Sequence, residues 1–211
     1  MTEAPEELAI LAAGAPPAHP VPLAHLRSAD VLVCCDGAYA KARALGREPD
    51  YVVGDGDSLS DADRLQLGGR FVHVAEQETN DLAKAFRFAL TLRPGRIVIL
   101  GATGLREDHA LGNIFWLMDF SETFLRTSIC TDAGVFEVVR GSRTFGCSPG
   151  CAVSVFSPDR TASVRSQGLV WPLDGVRFTD LHCATLNRAS GTSFSLSATH
   201  PVLVYRTHAP L

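Results

Sequence analysis

The stretch Val52-Val53-Gly54-Asp55-Gly56-Asp57-Ser58 places two carboxylates directly after a short apolar strand. Side chains two residues apart in extended backbone project to the same side, so Asp55 and Asp57 can converge on one point. Two carboxylates so near each other resist ionising together unless a cation lies between them. Mg²⁺ fits, because it takes one or two protein carboxylates and leaves its other positions to water and phosphate. The stretch is therefore either a magnesium site or a solvated Asp-Gly turn.

A calcium-binding loop does not fit the same stretch. Position 59 is leucine where such a loop needs Asp or Asn, and position 60 is serine where it needs glycine. Gln66 stands in the place of the bidentate glutamate. The choice between magnesium and a solvated turn therefore depends on the rest of the chain.

Apolar strands alternate with helices on both sides of this stretch. The other predicted strands are Leu8–Ala13, Val31–Cys35, Phe71–Val74, Arg96–Leu100 and Thr127–Thr131. The predicted helices are Ala38–Leu45, Leu59–Leu67, a helix capped by Asn80 that ends near Leu92, and a helix capped by Asp108. The proline- and histidine-rich segment Gly14–Pro22 is predicted to be an irregular connection. This order predicts β-α-β units, hence an α/β, Rossmann-like parallel sheet with flanking helices.

The helix that Asp108 opens has apolar residues at helical spacing. Its predicted buried face comprises Leu111, Ile114, Phe115 and Met118. His109, Asn113 and Trp116 recur at i, i+4 and i+7 on the opposite face. A histidine in such a position is more often a hydrogen-bonded structural group than a catalyst.

Beyond about Ala133 the pattern changes to short alternating segments separated by Gly, Pro or Ser. The predicted strands there are Phe136–Val139, Ala152–Phe156, Ser163–Val170, Thr192–Ser197 and Val202–Tyr205. They predict a small all-β sandwich or barrel of roughly 75 residues. We therefore expect two domains, an α/β nucleotide- and metal-binding catalytic domain over 1–133 and a β-rich domain over 134–211.

Several acidic residues follow strands of the predicted sheet. Asp36 and Asp55 come directly after strands, Asp81 lies at a helix N-terminus, and Asp108 lies just past the fifth strand. Ligands of open parallel sheets bind beyond the carboxyl ends of the strands. The shared position of these carboxylates favours the metal site over the solvated turn.

The segment Glu76–Asp81 opens a helix and has two interpretations. In the first, its charges simply compensate the positive helix end. Alternatively, Asp81 adds a third carboxylate to the metal while Gln77 contacts a ligand. Lys84, one turn into the helix, then either reaches a phosphate or neutralises Asp81.

Gly101-Ala-Thr-Gly104 also lies between a strand and a helix, where backbone amides can receive phosphate. Arg106 is a natural phosphate clamp. A nicotinamide fingerprint is disfavoured, because the third glycine is absent and the segment follows a late strand. The chain has no Walker lysine pattern, so nucleotide binding would be of another kind.

Bulk composition limits the remaining classes. The 211 residues are 46% hydrophobic and 20% charged, with a formal net charge of −4. That balance argues against a nucleic-acid partner, which would need a basic stripe. No run is long enough for a membrane span and no signal peptide is evident. The six cysteines form no zinc-binding pattern, so we expect free thiols and a cytoplasmic location.

Six segments carry a family resemblance in their order and spacing. They are Cys35-Asp-Gly-Ala38, Gly54–Ser58, Glu76–Asp81 with Lys84, Gly104–His109 with Asn113, Gly168–Leu173 and Asn187–Gly191. Together they resemble the successive motifs of the thiamine pyrophosphokinase family, across nearly the whole chain. The resemblance implies an enzyme that moves the terminal pyrophosphate of ATP to the hydroxyethyl oxygen of thiamine, giving thiamine diphosphate and AMP.

The resemblance also implies cofactors, assembly and residue roles. ATP is the co-substrate, Mg²⁺ is the cofactor, and a homodimer holds active sites between its subunits, with 134–211 binding thiamine and forming the dimer. The implied metal ligands are Asp55, Asp57 and Asp81. The implied catalytic set adds Asp36 and Arg106. The implied nucleotide contacts are Gln77, Asn80, Lys84, Gly104, Arg106, Asp108, His109 and Asn113. The implied substrate contacts are Asp36, Gln77, Trp171 and Asn187.

Four departures from the family pattern keep alternatives open. Leu105 replaces a glycine, Asn80 replaces a threonine, and Gly56 replaces a bulky residue. A serine-rich sequence becomes Ala184-Thr-Leu-Asn-Arg188. The alternatives are a pyrophosphokinase for another hydroxymethyl heterocycle such as a pterin, a non-catalytic nucleotide-binding regulator and, less favoured, a nicotinamide-dependent dehydrogenase.

Overall fold

A computed structural model describes residues 4–210, and their chain divides into two units between Asp132 and Ala133. None of the helices in these residues is long and apolar enough to cross a bilayer. Each unit has its own sheet pairing and its own buried core.

Within residues 4–132, six strands form a sheet whose neighbours all run parallel. The strands are Glu7–Leu11 (β1), Val31–Cys35 (β2), Tyr51–Gly54 (β3), Phe71–His73 (β4), Arg96–Leu100 (β5) and Thr127–Cys130 (β6). Their spatial order is β6-β5-β1-β2-β3-β4. The predicted parallel sheet is confirmed, and its strands other than the edge strand β4 are mostly buried apolar runs because helices cover the sheet.

The helices of the first unit connect these strands. They are Pro20–Ser28 (α1), Tyr39–Ala44 (α2), Asp61–Leu67 (α3), Asp81–Thr91 (α4) and Glu107–Thr123 (α5). Asn80 caps α4 as predicted, since its side chain accepts a hydrogen bond from the N–H of Ala83 at 2.9 Å. The predicted apolar residues Leu82 and Phe86 are buried.

Helix α1 was not predicted, and the irregular connection expected through Pro22 is wrong. Pro20 and Pro22 lie in the first turn, where proline lacks only an N–H that would have no helical partner. The ring of His19 caps the helix by accepting from the N–H of Val21 at 3.2 Å. Proline and histidine thus mark a helix start here rather than a loop.

The predicted start and buried face of α5 are also wrong. Arg106, not Asp108, is the N-cap residue. Leu111 is 56% exposed and Phe115 is 54% exposed. The residues of α5 that are buried are Leu117, Phe120 and Ser121. The helix carries apolar residues on two faces, and stacking of Phe120 on Phe86 of α4, with centroids 4.0 Å apart, turns the second face inward.

The second unit is built from antiparallel strands, as predicted. In the residues described up to 210 they are Gly134–Gly146 (β7), Cys151–Phe156 (β8), Val164–Gln167 (β9), Ala184–Arg188 (β10) and Ser193–Pro210 (β11). The first part of β11 pairs with β9 and the end of β7, and its second part pairs with β8 and the start of β7. A register shift between Ala198 and Val202 separates the two parts.

Two details of the second unit differ from prediction. The segments expected as separate strands at 192–197 and 202–205 belong to the single strand β11. Strand β10 was not predicted, and within it the burial is the reverse of the usual one, since Leu186 is 82% exposed while Asn187 is buried. The aromatic pair Phe145 and Phe194 stacks in the core of this unit, with centroids 4.9 Å apart.

Candidate active site

Asp36 and Gly54 meet where β2 and β3 end. The strands are parallel neighbours with Cys35 opposite Val53, so the residues that follow lie side by side. A Cβ on residue 54 would lie 2.6 Å from the carboxyl carbon of Asp36. Only glycine therefore lets the Asp36 carboxylate approach the β3 backbone this closely.

The Asp36 carboxyl group is buried and held by backbone. It is 3% exposed, and its two oxygens accept hydrogen bonds from the N–H groups of Gly37 at 2.7 Å and Gly56 at 2.9 Å. Burial raises its pKa; the two N–H groups oppose that effect, and the charges of Asp81 and Asp55 add to it. The group is thus a better proton acceptor than an exposed aspartate.

The turn after β3 fixes the other two carboxylates. Asp55 accepts from the N–H of Asp57 at 3.1 Å and from Nε2 of Gln77 at 2.8 Å. These two hydrogen bonds lower the pKa of Asp55, so it stays ionised. Gly56 has φ +82°, a conformation that favours glycine, and Arg64 donates to its carbonyl oxygen.

Asp36, Asp55 and Asp57 form an acidic cluster in which one oxygen of each lies within 4.8 Å of the others. Three hard oxygen donors at this separation fit a divalent cation such as Mg²⁺. The expected third ligand, Asp81, is not a member of this cluster. Asp55 and Asp57 thus lie close together, as expected for side chains two residues apart, and the pairing of β2 with β3 brings Asp36 beside them.

Asp81 forms an ion pair with Lys84 one helical turn away. The Asp81 Oδ1 to Lys84 Nζ distance is 3.0 Å, and the lysine side chain is 2% exposed. Burial disfavours the charged lysine, yet the hydrogen bond and charge of Asp81 raise its pKa overall. The buried ammonium group of Lys84 therefore lies beside the acidic cluster, while Asp81 is still 42% exposed.

Glu76 organises the loop that carries Gln77. Its carboxylate accepts from the backbone N–H groups of Glu78 and Thr79, from the Thr79 hydroxyl and from Arg87. The hydroxyl of Thr79 contributes most to a pKa of about 2 for Glu76. These bonds shape the loop so that the Gln77 amide reaches Asp55.

Asn80 and Asn113 bind each other. Asn80 Nδ2 donates to Asn113 Oδ1 at 3.0 Å, and Asn113 Nδ2 donates to the carbonyl of Ala102 at 2.8 Å. These two hydrogen bonds connect the start of α4, the inner side of α5 and the loop after β5. Asn113 therefore faces the sheet edge, whereas the sequence pattern had placed it on the face opposite the core.

Arg106 and Asp108 form a two-contact ion pair at the start of α5. Nε lies 3.1 Å from Oδ1 and Nη2 lies 2.5 Å from Oδ2. The guanidinium lowers the pKa of Asp108 to about 2. Both side chains are mainly exposed, so the pair is screened by water and can exchange partners.

A cavity of about 520 Å³ lies at this edge of the first unit. The predicted site residues that line it are Asp55, Asp57, Gln77, Asn80, Asp81, Lys84, Arg106, His109 and Asn113. Those that do not line it are Asp36, Gly104 and Asp108. The Asp36 carboxylate lies just behind the lining, within 4.8 Å of the carboxylates of Asp55 and Asp57. Gly104 lies between two lining residues, Thr103 and Leu105.

The loop after β1 also lines this cavity, although it was not among the predicted site residues. Ala12, Ala13 and Gly14 line it, and Nζ of Lys41 donates to the carbonyls of Ala13 at 2.5 Å and Gly14 at 2.8 Å. The sequence does mark this loop, because an apolar strand is followed there by Gly14, just as glycines adjoin Asp36 and Asp55 after their strands. The loop has no charged side chain, and so it drew no attention.

The second unit has its own cavity of about 300 Å³, which Trp171 and Asn187 border. Trp171 is 56% exposed, whereas Asn187 is 4% exposed. Asn187 Nδ2 donates to the Trp171 carbonyl at 2.6 Å, and its Oδ1 accepts from the Trp171 N–H at 3.2 Å. Asn187 thus fixes the backbone of Trp171.

Two family models match the chain in succession. Residues 24–138, more than half of the 211, match the model described as thiamin pyrophosphokinase, catalytic domain. Residues 134–205 match thiamin pyrophosphokinase, substrate-binding domain. The chain belongs to the thiamin pyrophosphokinase family. The family resemblance seen in the sequence motifs is therefore confirmed.

Curated members of the family are similar over part of their length. The chain is 40% identical over 70 residues to the thiamine pyrophosphokinase of Bacillus subtilis (strain 168), covering 31% of this chain and 33% of that protein. It is 31% identical over 145 residues to thiamine pyrophosphokinase 1 of Oryza sativa subsp. japonica, covering 60% of this chain and 53% of the relative. The matched segments thus span a third and about half of these relatives.

Solved structures named as thiamin pyrophosphokinases share the fold over nearly the whole chain. The protein from Geobacillus thermodenitrificans has a TM-score of 0.81 at 22% identity, covering 96% of this chain and 98% of that one. The Bacillus subtilis protein gives 0.80 at 20%, covering 95% and 98%. The yeast protein gives 0.74 at 15%, covering 98% and 87%. The predicted fold, an α/β unit followed by a β-rich unit, is confirmed.

Proposed function

We propose that this chain is a thiamine pyrophosphokinase that converts thiamine and ATP to thiamine diphosphate and AMP. The hydroxyethyl oxygen of thiamine forms a bond to the β-phosphorus. The bond from that phosphorus to the bridging oxygen of the α-phosphate breaks, and AMP leaves with the electron pair. One observation carries the proposal: in a member of this family, three carboxylates within 4.8 Å adjoin a cavity that also presents Lys84 and Arg106.

The acidic cluster would hold Mg²⁺. Asp55 and Asp57 are the proposed ligands, with Asp36 the nearest additional carboxylate and Asp81 available from the same cavity. A bound Mg²⁺ would neutralise phosphate oxygens that gain charge during transfer. The hydrogen bonds from Gln77 and Asp57 keep Asp55 ionised, which suits it to this role.

Asp36 is proposed to orient or accept the proton of the substrate hydroxyl. Its raised pKa makes it more basic than an exposed aspartate, and its two backbone hydrogen bonds fix its direction. Its position supports two roles, proton acceptor and support for the metal ligands. Substitution by Asn keeps the shape but removes the charge and the basicity, and it also turns one of the two acceptor oxygens into an amide donor that faces a backbone N–H.

Cationic side chains would bind the triphosphate. Lys84 is protonated and buried beside the cavity, and Arg106 lies on its rim. Arg106 would exchange the Asp108 carboxylate for a phosphate, since both groups offer two oxygens to the planar guanidinium. Asn80, His109 and Asn113 line the same cavity and are the proposed polar contacts to the nucleotide.

The second unit would supply the thiamine side. Trp171 offers an exposed aromatic face at its cavity, and a cationic heterocycle such as thiamine binds favourably over an indole ring. Asn187 would act through Trp171, because both its amide atoms bind the Trp171 backbone. We assign residues 134–211 to thiamine binding on this basis, and the dimerisation that the resemblance also assigns to them stays a prediction.

We further propose a homodimer with active sites at the subunit interface. The supporting feature is the apolar stripe of α5, where Leu111 and Phe115 are more than half exposed. Exposed aromatic and aliphatic side chains at helical spacing are typical of an interface. A cytoplasmic location is also proposed, consistent with six cysteines that form no disulfide, four of them buried.

The deciding experiment is a product assay. The full chain is incubated with thiamine and Mg·ATP, and the products are identified by mass. Thiamine diphosphate and AMP in equal amounts would support the proposal. AMP release only with a pterin-like alcohol would indicate another heterocycle as acceptor, and metal-dependent ATP binding without AMP would indicate a regulator.

A further inference from the structure

Leu186 has a backbone conformation and an exposure that are both unusual for leucine. Its φ is +61°, in the left-handed region that L-residues other than Gly, Asn and Asp seldom adopt. Its side chain is 82% exposed, so burial does not offset the strain. Strained backbone persists mainly where surrounding structure enforces it, often at ligand sites. A contact with a ligand would explain both features.

Hydrogen bonds on either side hold Leu186 in this conformation. The register of β10 against β8 shifts between Ala184 and Asn187, which creates a bulge. The N–H of Leu186 donates to Ser154 Oγ at 3.3 Å instead of to a strand carbonyl. Asn187 then rejoins the ladder opposite Val153. The fold thus presents the Leu186 side chain away from the core.

Leu186 borders the same 300 Å³ cavity as Trp171. The two are the exposed large apolar side chains at its rim, within residues 4–210. Asn187, next to Leu186 in the chain, binds both the N–H and the carbonyl of Trp171. The backbones that carry the indole and the leucine are therefore fixed relative to each other before any ligand arrives.

We propose that Leu186 is a specificity-determining residue that, with Trp171, contacts the flat heteroaromatic part of the acceptor substrate. A branched apolar side chain and an aromatic ring at one cavity select flat, partly apolar rings over sugar-like or open-chain alcohols. The inference rests on the proposed function, and it names the feature of the acceptor that the second unit recognises.

Two variants separate the side chain from the backbone strain. Leu186→Ala removes the apolar contact, whereas Leu186→Asn keeps a similar size, suits a positive φ and makes the side chain polar. Leu181→Ala is the matched control, because Leu181 is 52% exposed in the same unit and does not border the cavity. Thermal unfolding of each variant shows that it folds.

The test compares KM values for thiamine and ATP, together with thiamine binding in the absence of ATP. Binding is followed by Trp171 fluorescence in a Trp116→Phe background, since the chain has two tryptophans. We expect both Leu186 variants to raise the thiamine KM and Kd by about tenfold, the loss typical of removing an apolar contact. The KM for ATP should stay unchanged, and Leu181→Ala should behave as the unmodified chain does.

The outcomes distinguish this inference from the proposed function. An active chain in which the Leu186 variants match Leu181→Ala would overturn the role of Leu186 alone. A chain that binds thiamine but releases no AMP would overturn the proposed activity, while the Kd values still decide the role of Leu186. A chain that neither binds thiamine nor releases AMP would overturn both.

Discussion

Gly54 and Asp36 fit together so closely that a single methyl group would separate them. A Cβ at residue 54 would meet the carboxyl carbon and Oδ2 of Asp36, both at 2.6 Å. The position of the Asp36 carboxylate thus depends on the absence of a side chain on the neighbouring strand. The acidic cluster is built by strand pairing as much as by the residues that carry the charges.

Gly54→Ala should therefore displace Asp36. We expect a loss of about 1–3 kcal/mol in unfolding free energy, as for other overpacked sites. We also expect a fall in kcat, because the carboxylates of Asp36, Asp55 and Asp57 would no longer lie close together. Denaturant unfolding and AMP release measure the two effects. Gly69→Ala is the control, since a Cβ there meets no atom within 4 Å. Equal behaviour of the two variants would contradict the close fit.

Lys84 offers a test of what its buried charge does. Lys84→Met keeps the length and apolar stem but removes the cation, leaving Asp81 able to reach water because it is 42% exposed. If Lys84 binds phosphate, the KM for ATP should rise by at least about tenfold, the loss expected for a charged hydrogen bond. An unchanged KM for ATP, with altered stability only, would show that Lys84 merely neutralises Asp81.

Glu76 should make stability depend on pH in acid. Its pKa is about 2 in the folded chain, below its ordinary value of 4.5, so its contribution is complete above pH 4.5 and is lost as the pH falls toward 2. The stability difference between the unmodified chain and Glu76→Gln should therefore shrink over that interval. Denaturant unfolding at several pH values measures it, with Glu78→Gln as the control. A difference that stays constant down to pH 2 would argue against the network.

The apolar stripe of α5 predicts assembly. Leu111→Glu combined with Phe115→Glu should convert a dimer to the 22.6 kDa protomer, because charges would have to be buried at the interface. Light scattering after size exclusion gives the mass. Leu65→Glu is the control, since Leu65 is 85% exposed on α3. The prediction fails if the unmodified chain is itself a monomer, or if the double variant remains dimeric.

The sequence predicted the fold where one physical rule acted alone. The strands of the first unit were predicted because buried parallel strands are continuous apolar runs. The start of α4 was predicted because asparagine is a preferred N-cap residue, and Asn80 has that role. Asp55 and Asp57 converge as their spacing indicates, and Asp36 joins them at the sheet edge, as its position directly after the neighbouring strand indicates.

Prediction failed where two rules competed. Prolines usually mark loops, but Pro20 and Pro22 lie in a first helical turn that tolerates them. In α5 two faces are apolar, and the stacking of Phe86 on Phe120 decides which of them is buried. Strand β10 was missed, and its exposed Leu186 and buried Asn187 reverse the burial that an apolar and a polar residue in a strand usually have. These failures fall at the start of the chain, at the α5 stripe and beside the second cavity.

Asp55 and Asp57 are proposed to hold the divalent cation on which pyrophosphate transfer from ATP to thiamine depends. The most direct test is the rate of AMP release by Asp55→Asn and Asp57→Asn at saturating Mg²⁺, with circular dichroism to confirm folding and Asp61→Asn, an exposed carboxylate in the first turn of α3, as the control. We predict that each of the two site variants folds normally and loses turnover by orders of magnitude, while the control is unaffected. Rates close to that of the unmodified chain in both site variants would contradict the claim.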